Sequence, residues 1–532
     1  MKSINFLFLF FLGVGITSLV AIFQDSPGYM DADYYYAGGV RLAQGFGFSE
    51  PFLWNFLDDP QGLPHPSHTY WMPLPSILVM LGMALSGAEN FSGGKLLYLI
   101  IAGFIPVITC ALAFSLTGKK QHALLAGILA AIPGFYLSYV GTTDAFGLYM
   151  VLGGMFLFLV GHQKRLGREL QALFLGLIAG LLHLTRADGV LWLILALVSV
   201  ILIAYQSNSL SWPERLAKYL RAFGLPVIIC LIGYFLVLAP WMIRNLREFG
   251  VLLASSGIKS LWLTDYNQLY AYPSSILTFD RWLESGFNAI LQARLVALWQ
   301  NLQTAVVVQG EIFLTPLVLM GLWHYRRDLR VQIGGLGWLI TFMVMTFAFP
   351  FVGWRGGFFH SGSAFQPLFW SVAPVGLELF IGWGVRKRDW VQKQATVVFS
   401  AGVICFSLLL ATFAVRSRVI GLDIKNPSWG ESNRRYSQLE QGLRRAGADA
   451  NEIVLVNNAP GYFVATGRSA ISIPDGDLNT SLLVAERYGA TIIILENNHP
   501  PGLDRIYQLP ADYAGIDYLT TIDGAHIFRI FE

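Results

Sequence analysis

Two carboxylates stand two residues apart directly after the first hydrophobic stretch of the chain, in the segment YMDADYYY at residues 29–36. Their aromatic neighbours would partly desolvate Asp31 and Asp33, which raises the pKa of a carboxyl group and suits it to general-base catalysis. Acids at this spacing also favour the start of a helix, and residues 34–44 have an amphipathic pattern. The residues alone therefore leave catalysis and helix capping as equal alternatives for the pair.

A third acid, Asp144, follows two threonines between two apolar stretches. Because it stands where the second of these stretches begins, the simpler interpretation is a helix N-cap. The membrane topology derived below predicts that Asp144 faces the same side of the membrane as Asp31 and Asp33. That coincidence favours a role in the same chemistry.

Several cations lie at the predicted ends of apolar stretches, where they could bind a phosphate. Arg244 ends one stretch, and Arg355 follows another, with His360 five residues later. Arginine offers a bidentate fork to phosphate oxygens, but arginine beside tryptophan also anchors a helix at the lipid headgroups. Arg186 and Asp188 stand two residues apart in a tight turn. We predict a local ion pair there, with ligand contact as the alternative.

The histidines and cysteines give weaker signals. His65 and His68 have a spacing that could serve a metal, but the prolines around them argue against a pair of ligands on one helix. Loop packing or substrate contact is the better interpretation, and no metal site is predicted. The three cysteines lie inside apolar runs without any CxxC spacing, so the sequence predicts neither disulfides nor a thiolate metal site.

The composition places these groups in a polytopic membrane protein. Hydrophobic residues make up 55% of the chain and charged residues 13%, far outside the range of soluble globular domains. The net charge of +3 gives no reason to expect a nucleic-acid partner. About eleven segments approach the roughly 20 residues that cross the hydrocarbon core of a bilayer. They lie near 5–23, 95–117, 121–140, 145–160, 170–184, 189–205, 225–241, 304–323, 332–350, 367–384 and 395–414.

The distribution of basic residues predicts the orientation. The segment 72–86 is short and begins with two prolines, so we interpret it as an interfacial helix within a long outer loop, residues 24–94. With this segment left out, the basic clusters all fall on the cytoplasmic side, as the positive-inside rule requires. These clusters are Lys2, Lys119-Lys120, Lys164-Arg165-Arg168, Arg215-Lys218-Arg221, Arg326-Arg327-Arg330 and Arg386-Lys387-Arg388.

The same topology predicts a cytoplasmic N-terminus in the cell (cytoplasmic) membrane and a polar extracytoplasmic tail. We therefore expect two domains, a transmembrane domain at residues 1–415 and an α/β domain at residues 416–532. Within the tail, short apolar runs predict strands at 453–456 and 491–495, and helices are predicted at 436–447 and 481–488. The tail has no glycine-rich loop placed to hold a phosphate, so a nucleotide site is not expected.

The order of these features resembles a known class of enzymes. An acidic pair after the first span, a long outer loop ending in Tyr70-Trp71 and an interfacial helix, and a third acid at the start of the fourth span are similar to the GT-C integral-membrane glycosyltransferases. The similarity is greatest to the branch with the protein O-mannosyltransferases and the lipid A aminoarabinose transferase, and it is best over residues 1–160. It implies an α-helical polytopic membrane protein of about eleven transmembrane helices, with a small extracytoplasmic α/β domain.

The resemblance also implies roles for individual residues. The segment DADYY at 31–35 is similar to the family's Asp-Glu-x-x-Tyr motif, with alanine in place of the glutamate, so either Asp31 or Asp33 would be the catalytic base. The family's acid in the second outer loop corresponds to Asp144. The substrate-binding candidates, including a phosphate ligand at Arg244 or Arg355, are Tyr35, Tyr70, Arg186, Asp188, Arg244, Arg355 and His360.

The expected function is inverting transfer of a sugar from a polyprenyl-phosphate-linked donor, held in the lipid bilayer, to a protein, lipid or glycan acceptor at the extracytoplasmic face. A divalent cation could assist, since some GT-C enzymes use one. The first alternative is a membrane transporter or lipid flippase, although the two halves of the chain show none of the repeats typical of transporters. The second is a non-catalytic binding or assembly protein that uses the tail to recognise its partner.

Overall fold

A computed structural model describes residues 5–207, 223–254 and 256–531. Lys2 and the basic cluster Arg215-Lys218-Arg221, both used to predict the orientation, lie outside the described residues, as does the side chain of Lys164. The described chain is mostly helical and contains one larger β-sheet.

Helices of eight residues or more are labelled here in chain order. They are α1 (Phe6–Ala21), α2 (Met30–Ala43), α3 (Leu74–Ser86), α4 (Leu96–Thr117), α5 (Lys120–Ala131), α6 (Phe146–Val160), α7 (Arg168–Thr185), α8 (Val190–Ser207), α9 (Leu225–Phe249), α10 (Phe287–Gln303), α11 (Thr315–His324), α12 (Leu329–Met343), α13 (Gln366–Arg388), α14 (Gln392–Val415), α15 (Glu431–Arg445), α16 (Ala459–Thr466) and α17 (Leu478–Tyr488). Shorter α-helical segments are Phe91–Gly94, Gln163–Leu166, Ser256–Lys259, Phe279–Glu284, Pro350–Val352, Phe358–Gly362 and Asp504–Gln508. The strands are β1 (Ser49–Glu50), β2 (Phe52–Leu53), β3 (His65–Pro66), β4 (Ile453–Val456), β5 (Ala470–Ser472), β6 (Ala490–Leu495), β7 (Ile516–Ile522) and β8 (Ala525–Ile530).

The chain forms two compact units, each assembled from separate stretches of sequence. The membrane unit comprises Met1–Ile22, Leu97–Leu252 and Val296–Val419. The loop unit comprises Phe23–Leu96, Leu253–Leu295 and Ile420–Glu532. The first outer loop therefore belongs to the same compact unit as the tail. The division predicted at residue 416 follows chain order and membrane topology, and it stays a prediction.

Within the described residues, six helices are long and apolar enough to cross a membrane. Three shorter apolar helices, α1, α3 and α6, have 10 to 17 residues. The six long ones are Phe91–Thr117, Ala187–Tyr205, Leu225–Phe249, Leu329–Ala348, Pro350–Arg388 and Gln392–Ile420. The predicted multi-pass helical membrane protein is therefore confirmed, whereas its number of crossings and its orientation stay predictions.

Two predicted spans are not continuous helices. The span expected at 121–140 ends as a helix at Ala131, because a residue before a proline is driven out of the helical region and Pro133 follows two residues later. A 3-10 turn, Gly134–Ser138, continues the chain. The span expected at 304–323 is broken by Glu311 and Ile312, which both have positive φ. Helix α11 begins only at Thr315.

A third span is longer than predicted. Helix α9 continues to Phe249, where a left-handed Gly250 terminates it. Trp241 and Arg244 were expected at the end of a span and instead lie inside this helix, so that part of the prediction was wrong. The apolar pattern stops near residue 241, but the polar residues that follow can still form helical hydrogen bonds.

The loop unit is built on a six-stranded mixed sheet with strand order β2-β5-β4-β6-β8-β7. Strands β4 and β6 match the two predicted strands, and helix α17 covers one of the predicted helices. The edge strand β2 comes from the first outer loop and pairs in parallel with β5, Phe52 opposite Ala470 and Leu53 opposite Ile471. The tail's hydrophobic core includes Phe56 of that loop, so loop and tail share one core.

Candidate active site

The acidic pair lies in the first turn of α2 in the loop unit. This helix begins at Met30, and its N-cap residue is Tyr29, which makes no capping hydrogen bond through its side chain. Neither Asp31 nor Asp33 is therefore the cap residue, although both lie where the helix dipole favours a negative charge. Their place in the first turn agrees with the alternative of acids that stabilise a helix N-terminus, and their catalytic role stays a prediction.

The two acids differ in their surroundings. Asp33 is buried, with 6% of its surface exposed, whereas Asp31 is half-buried. The Nδ2 amide of Asn458 donates a hydrogen bond of 3.0 Å to Oδ2 of Asp33. Burial raises the pKa of Asp33 to about 7, the hydrogen bond from Asn458 lowers that pKa in part, and the charge of Asp31 raises it further. The pKa of Asp33 therefore suits a general base near neutral pH.

Asn458 holds Asp33 from the start of a tail helix. It is the N-cap of α16, and its Oδ1 accepts a hydrogen bond of 3.0 Å from the backbone N–H of Gly461. A Cβ atom at Gly461 would lie 2.8 Å from Oδ2 of Asp33, so glycine permits the close approach of this helix. Sequence reasoning missed both residues. An N-cap asparagine before Ala459-Pro460 is a readable signal, but its partner stands 425 residues earlier.

Aromatic rings pack behind the acidic pair. The rings of Trp54 and Trp71 stack at 4.1 Å between centroids, and Tyr34 lies 4.6 Å from Trp71. Tyr35 is 1% exposed and lies 6.1 Å from Trp71, so it forms part of this packing. Tyr70 is half-buried and contacts Trp54 edge-on at 5.0 Å. Of the two tyrosines predicted to bind substrate, only Tyr70 has appreciable exposed surface.

The histidines of the first outer loop are engaged in packing. Nε2 of His68 is 2.9 Å from Oγ of Ser76, and the backbone N–H of His68 donates to the hydroxyl of Tyr34 at 2.7 Å. Nε2 of His65 lies 3.2 Å from a carboxylate oxygen of Glu50. The two imidazoles thus have separate partners, in keeping with the prediction of loop packing.

In the membrane unit, Asp144 pairs with His360. Oδ2 of Asp144 lies 3.0 Å from Nε2 of His360, and both residues are buried. Helix α6 begins at Phe146 with Ala145 as its N-cap residue, so the simple N-cap interpretation of Asp144 was wrong. The Asp144 side chain is directed to His360 instead. The ring of Phe146 stacks on the imidazole at 4.0 Å between centroids.

The second ring nitrogen of His360 determines what the pair can do. Nδ1 lies 2.9 Å from the carbonyl oxygen of Gly356. Since a carbonyl only accepts, Nδ1 must carry a proton, and the contact from Nε2 to Asp144 then requires a second, shared proton. Gly356 has φ +131°, a conformation that favours glycine, and it interrupts the helical segment before His360. Asp144 and His360 together therefore hold a proton in a buried site.

The Arg186–Asp188 turn behaves as predicted. Nε of Arg186 lies 2.9 Å from Oδ1 of Asp188, which confirms the local ion pair. Nη2 of Arg186 is also 3.5 Å from Oγ of Ser361, the residue after His360. The turn is therefore linked to the segment that carries His360, a connection that the sequence did not indicate.

The two arginines proposed for phosphate binding have different surroundings. The guanidinium of Arg244 lies over the rings of Trp241 and Phe249 at 4.8 and 5.0 Å and donates to Oδ1 of Asn245. The guanidinium of Arg355 lies over the ring of Trp354 at 4.5 Å. Only Arg355 belongs to the interrupted segment Gly353–Gly357 that precedes His360. Both guanidinium groups lie against aromatic rings, and the choice between them as a phosphate ligand stays a prediction.

Asp144 and His360 are also the membrane-unit residues that could contribute to a metal site. A carboxylate oxygen and an imidazole nitrogen are both ligands of zinc and other transition metals. In the described structure the two groups contact each other directly. A cation would have to take the place of the shared proton.

Comparison with solved structures identifies the fold. The chain is similar to the apo crystal structure of the Archaeoglobus fulgidus oligosaccharyltransferase, with a TM-score of 0.57 and 11% identity, over 93% of this chain and 70% of that one. It is similar to ArnT from Cupriavidus metallidurans bound to undecaprenyl phosphate, with a TM-score of 0.57 and 9% identity, over 98% and 97% of the two chains. A. fulgidus AglB, in complex with an inhibitory peptide and a dolichol-phosphate, gives a TM-score of 0.51 at 12% identity, over 92% and 69%.

No family model and no curated protein matches the sequence. The structural similarity extends over nearly the whole chain, and it confirms the predicted GT-C fold of membrane glycosyltransferases.

Proposed function

We propose that this chain is an inverting glycosyltransferase that moves a sugar from a polyprenyl-phosphate-linked donor to an acceptor at the extracytoplasmic face of the cell membrane. The GT-C fold supports the reaction class. Two similar structures hold undecaprenyl phosphate and a dolichol-phosphate, which supports a lipid-linked donor. The acceptor is a nucleophile on a protein, lipid or glycan.

The observation that carries this proposal is the buried Asp33. A buried carboxyl group whose pKa is about 7 is costly to keep, and such groups cluster at functional sites. The hydrogen bond from Asn458 orients Oδ2 of Asp33, and we assign the other oxygen, Oδ1, to the substrate proton. This combination supports Asp33, rather than the half-buried Asp31, as the general base.

The reaction follows from these roles. Asp33 removes the proton of the acceptor as the acceptor atom attacks the anomeric carbon of the donor. The bond between that carbon and the phosphate oxygen breaks on the opposite side, so the configuration inverts and polyprenyl phosphate leaves with its electron pair. Arg355 binds the departing phosphate by charge-assisted hydrogen bonds. Asp144 supports the reaction by anchoring His360, and with it the segment that follows Arg355, through their shared proton.

The proposal is tested by release of polyprenyl phosphate from a panel of lipid-linked sugars by the purified full-length protein. Wild type is compared with Asp31→Asn, Asp33→Asn and Asp144→Asn, and with Asp517→Asn, an exposed acid of the same loop unit, as the matched control. We expect turnover to be lost in Asp33→Asn and Asp144→Asn, while thermal unfolding and elution volume stay as in wild type.

If no donor is consumed, or if all three variants stay fully active, the catalytic assignment fails. A fluorescent-lipid translocation assay in vesicles would then examine the flippase alternative.

A further inference from the structure

A cavity lies within the membrane unit, apart from Asp144 and His360. Its volume is about 760 Å³, within the range of small-molecule and lipid-headgroup pockets. The cavity is lined by the last residues of α6, and Asp144 lies two residues before the start of that helix. Since α6 has 15 residues at 1.5 Å each, roughly 22 Å separates the cavity from Asp144.

One wall of the cavity is cationic. Arg165, Arg327 and Arg330 line it, together with the single acid Asp328. Arg330 is buried and forms a bidentate pair with Asp328, with contacts of 2.8 and 2.6 Å, so these two charges neutralise each other. In the part of the chain that the structure describes, Arg165 and Arg327 form no ion pair and are exposed. The wall therefore presents two uncompensated positive charges.

Specific contacts hold Arg330 in a defined position in this wall. Nη1 of Arg330 donates to Oγ of Ser115 at 2.7 Å, which ties the start of α12 to the end of α4. A Cβ atom at Gly161 would lie 2.8 Å from Cδ of Arg330, so glycine makes room for the guanidinium. The backbone around the cavity is thus shaped to hold one arginine in place beside the two exposed ones.

Another part of the cavity lining is apolar. Phe6 at the start of α1, Phe114 near the end of α4 and Phe158 near the end of α6 line it, with Ile203 near the end of α8. A soluble anion would make no favourable contact with these apolar side chains. An amphiphile with a phosphate headgroup matches both parts of the lining, because acyl carbons can pack on the phenylalanines while the phosphate pairs with arginines.

We propose that this cavity binds an anionic phospholipid of the cytoplasmic leaflet, with the headgroup phosphate between Arg165 and Arg327. The basic residues of this wall belong to clusters that the positive-inside rule places in the cytoplasm. Basic pockets between helices on that side select anionic lipids over zwitterionic ones. The site lies at the opposite end of α6 from Asp144, so its ligand is neither donor nor acceptor of the proposed reaction.

Native mass spectrometry of the detergent-solubilised full chain tests this proposal, with dioleoylphosphatidylglycerol and dioleoylphosphatidylcholine as probes. We expect the phosphatidylglycerol to bind at least about tenfold more tightly, and the double variant Arg165→Gln/Arg327→Gln to lose that preference, since each arginine contributes about fivefold near a lipid surface. Arg326→Gln/Arg388→Gln removes the same charge from residues that do not line the cavity, and it should retain the preference.

A second variant tests the contribution of the apolar lining independently of the charges. Ala111 lines the cavity, so Ala111→Trp should fill the space and weaken phosphatidylglycerol binding with every arginine in place. Inorganic phosphate at millimolar concentration should not displace the lipid.

Equal losses in the two double variants would mean general surface attraction, and would overturn the proposal. Unchanged binding by Arg165→Gln/Arg327→Gln, or displacement by inorganic phosphate alone, would overturn it as well.

Discussion

Replacing Asn458 should change the pH dependence of the enzyme rather than abolish its activity. Asn458 donates to the carboxylate of Asp33 and thereby stabilises its charged form. In wild type, Asp33 is about half ionised at pH 7, because its pKa is raised by burial to about 7. A base works only when deprotonated, so kcat/KM should fall as the pH drops below 7 and level off above 8.

The size of the effect follows from the lost hydrogen bond. A hydrogen bond to a charged group contributes about 1.5 kcal/mol at the low end of its range, which corresponds to about a tenfold change in proton affinity. Without it, the ionised fraction of Asp33 at pH 7 would fall from about one half to about one tenth. We therefore expect Asn458→Ala to lower kcat/KM about fivefold at pH 7, with recovery at higher pH. Asn458→Asp should have a larger effect, because it adds a second negative charge.

The two substitutions control for each other. Asn458→Ala removes the N-cap of α16, which costs about 1 kcal/mol of stability, whereas Asn458→Asp keeps a capping oxygen. The assay is polyprenyl phosphate release at low donor concentration between pH 5.5 and 9.5, with Asn479→Asp as a matched control on an exposed asparagine of the loop unit. A loss of equal size at every pH, or an unshifted profile in both variants, would refute Asp33 as the base tuned by Asn458.

Three further outcomes are expected. Gly461→Ala should lower activity at least about tenfold, because its Cβ would lie 2.8 Å from Oδ2 of the base, whereas Gly257→Ala, with open space around it, should be silent in the same turnover assay. Arg355→Ala should raise KM for the lipid-linked donor by about 10- to 100-fold through lost phosphate hydrogen bonds, while Arg244→Ala should change it by less than about threefold. Glu311→Ala should destabilise the protein by roughly 2 to 5 kcal/mol in a denaturant unfolding series. The buried side chain of Glu311 accepts hydrogen bonds from the indole N–H of Trp370 at 2.9 Å and from the hydroxyl of Ser407 at 3.0 Å, and the substitution would leave both donors unsatisfied. A stable Glu311→Ala variant would mean that water replaces the carboxylate.

Much of the helical architecture could be predicted from the sequence, because runs of apolar residues fix where helices form. Helices α6, α7, α8, α13 and α14 lie close to the predicted spans. The breaks inside two of the spans were not predicted. Pro133 was a readable stop signal inside the span expected at 121–140, and Glu311 was a readable charge inside the span expected at 304–323. Length and apolar character outweighed both signals in the prediction.

In the candidate site, the contacts between sequence neighbours were predicted and those between distant residues were not. The Arg186–Asp188 pair was predicted because the two residues are neighbours in a turn, and the structure confirms it. The contact of Asp144 with His360 joins residues 216 apart, and it depends on how separate helices pack. Such a contact leaves no periodicity or spacing in the sequence from which it could be predicted. The same reason explains why Asn458 gave no sign of its partner.

The parallel pairing of β2 with β5 has a consequence for biosynthesis. Asp33 and Asn458 are 425 residues apart, and a ribosome adding about 5 to 20 residues per second needs roughly 20 to 85 s to make that interval. During this time β2 has no neighbouring strand β5, and the carboxylate of Asp33 has no amide to hold it. Helices of the membrane unit can insert as they are translated, but the proposed base acquires its hydrogen-bond partner only after residue 458 emerges. A stalled or partly translated chain would therefore occupy the membrane with the sheet of the loop unit incomplete and the side chain of Asp33 without its positioning amide.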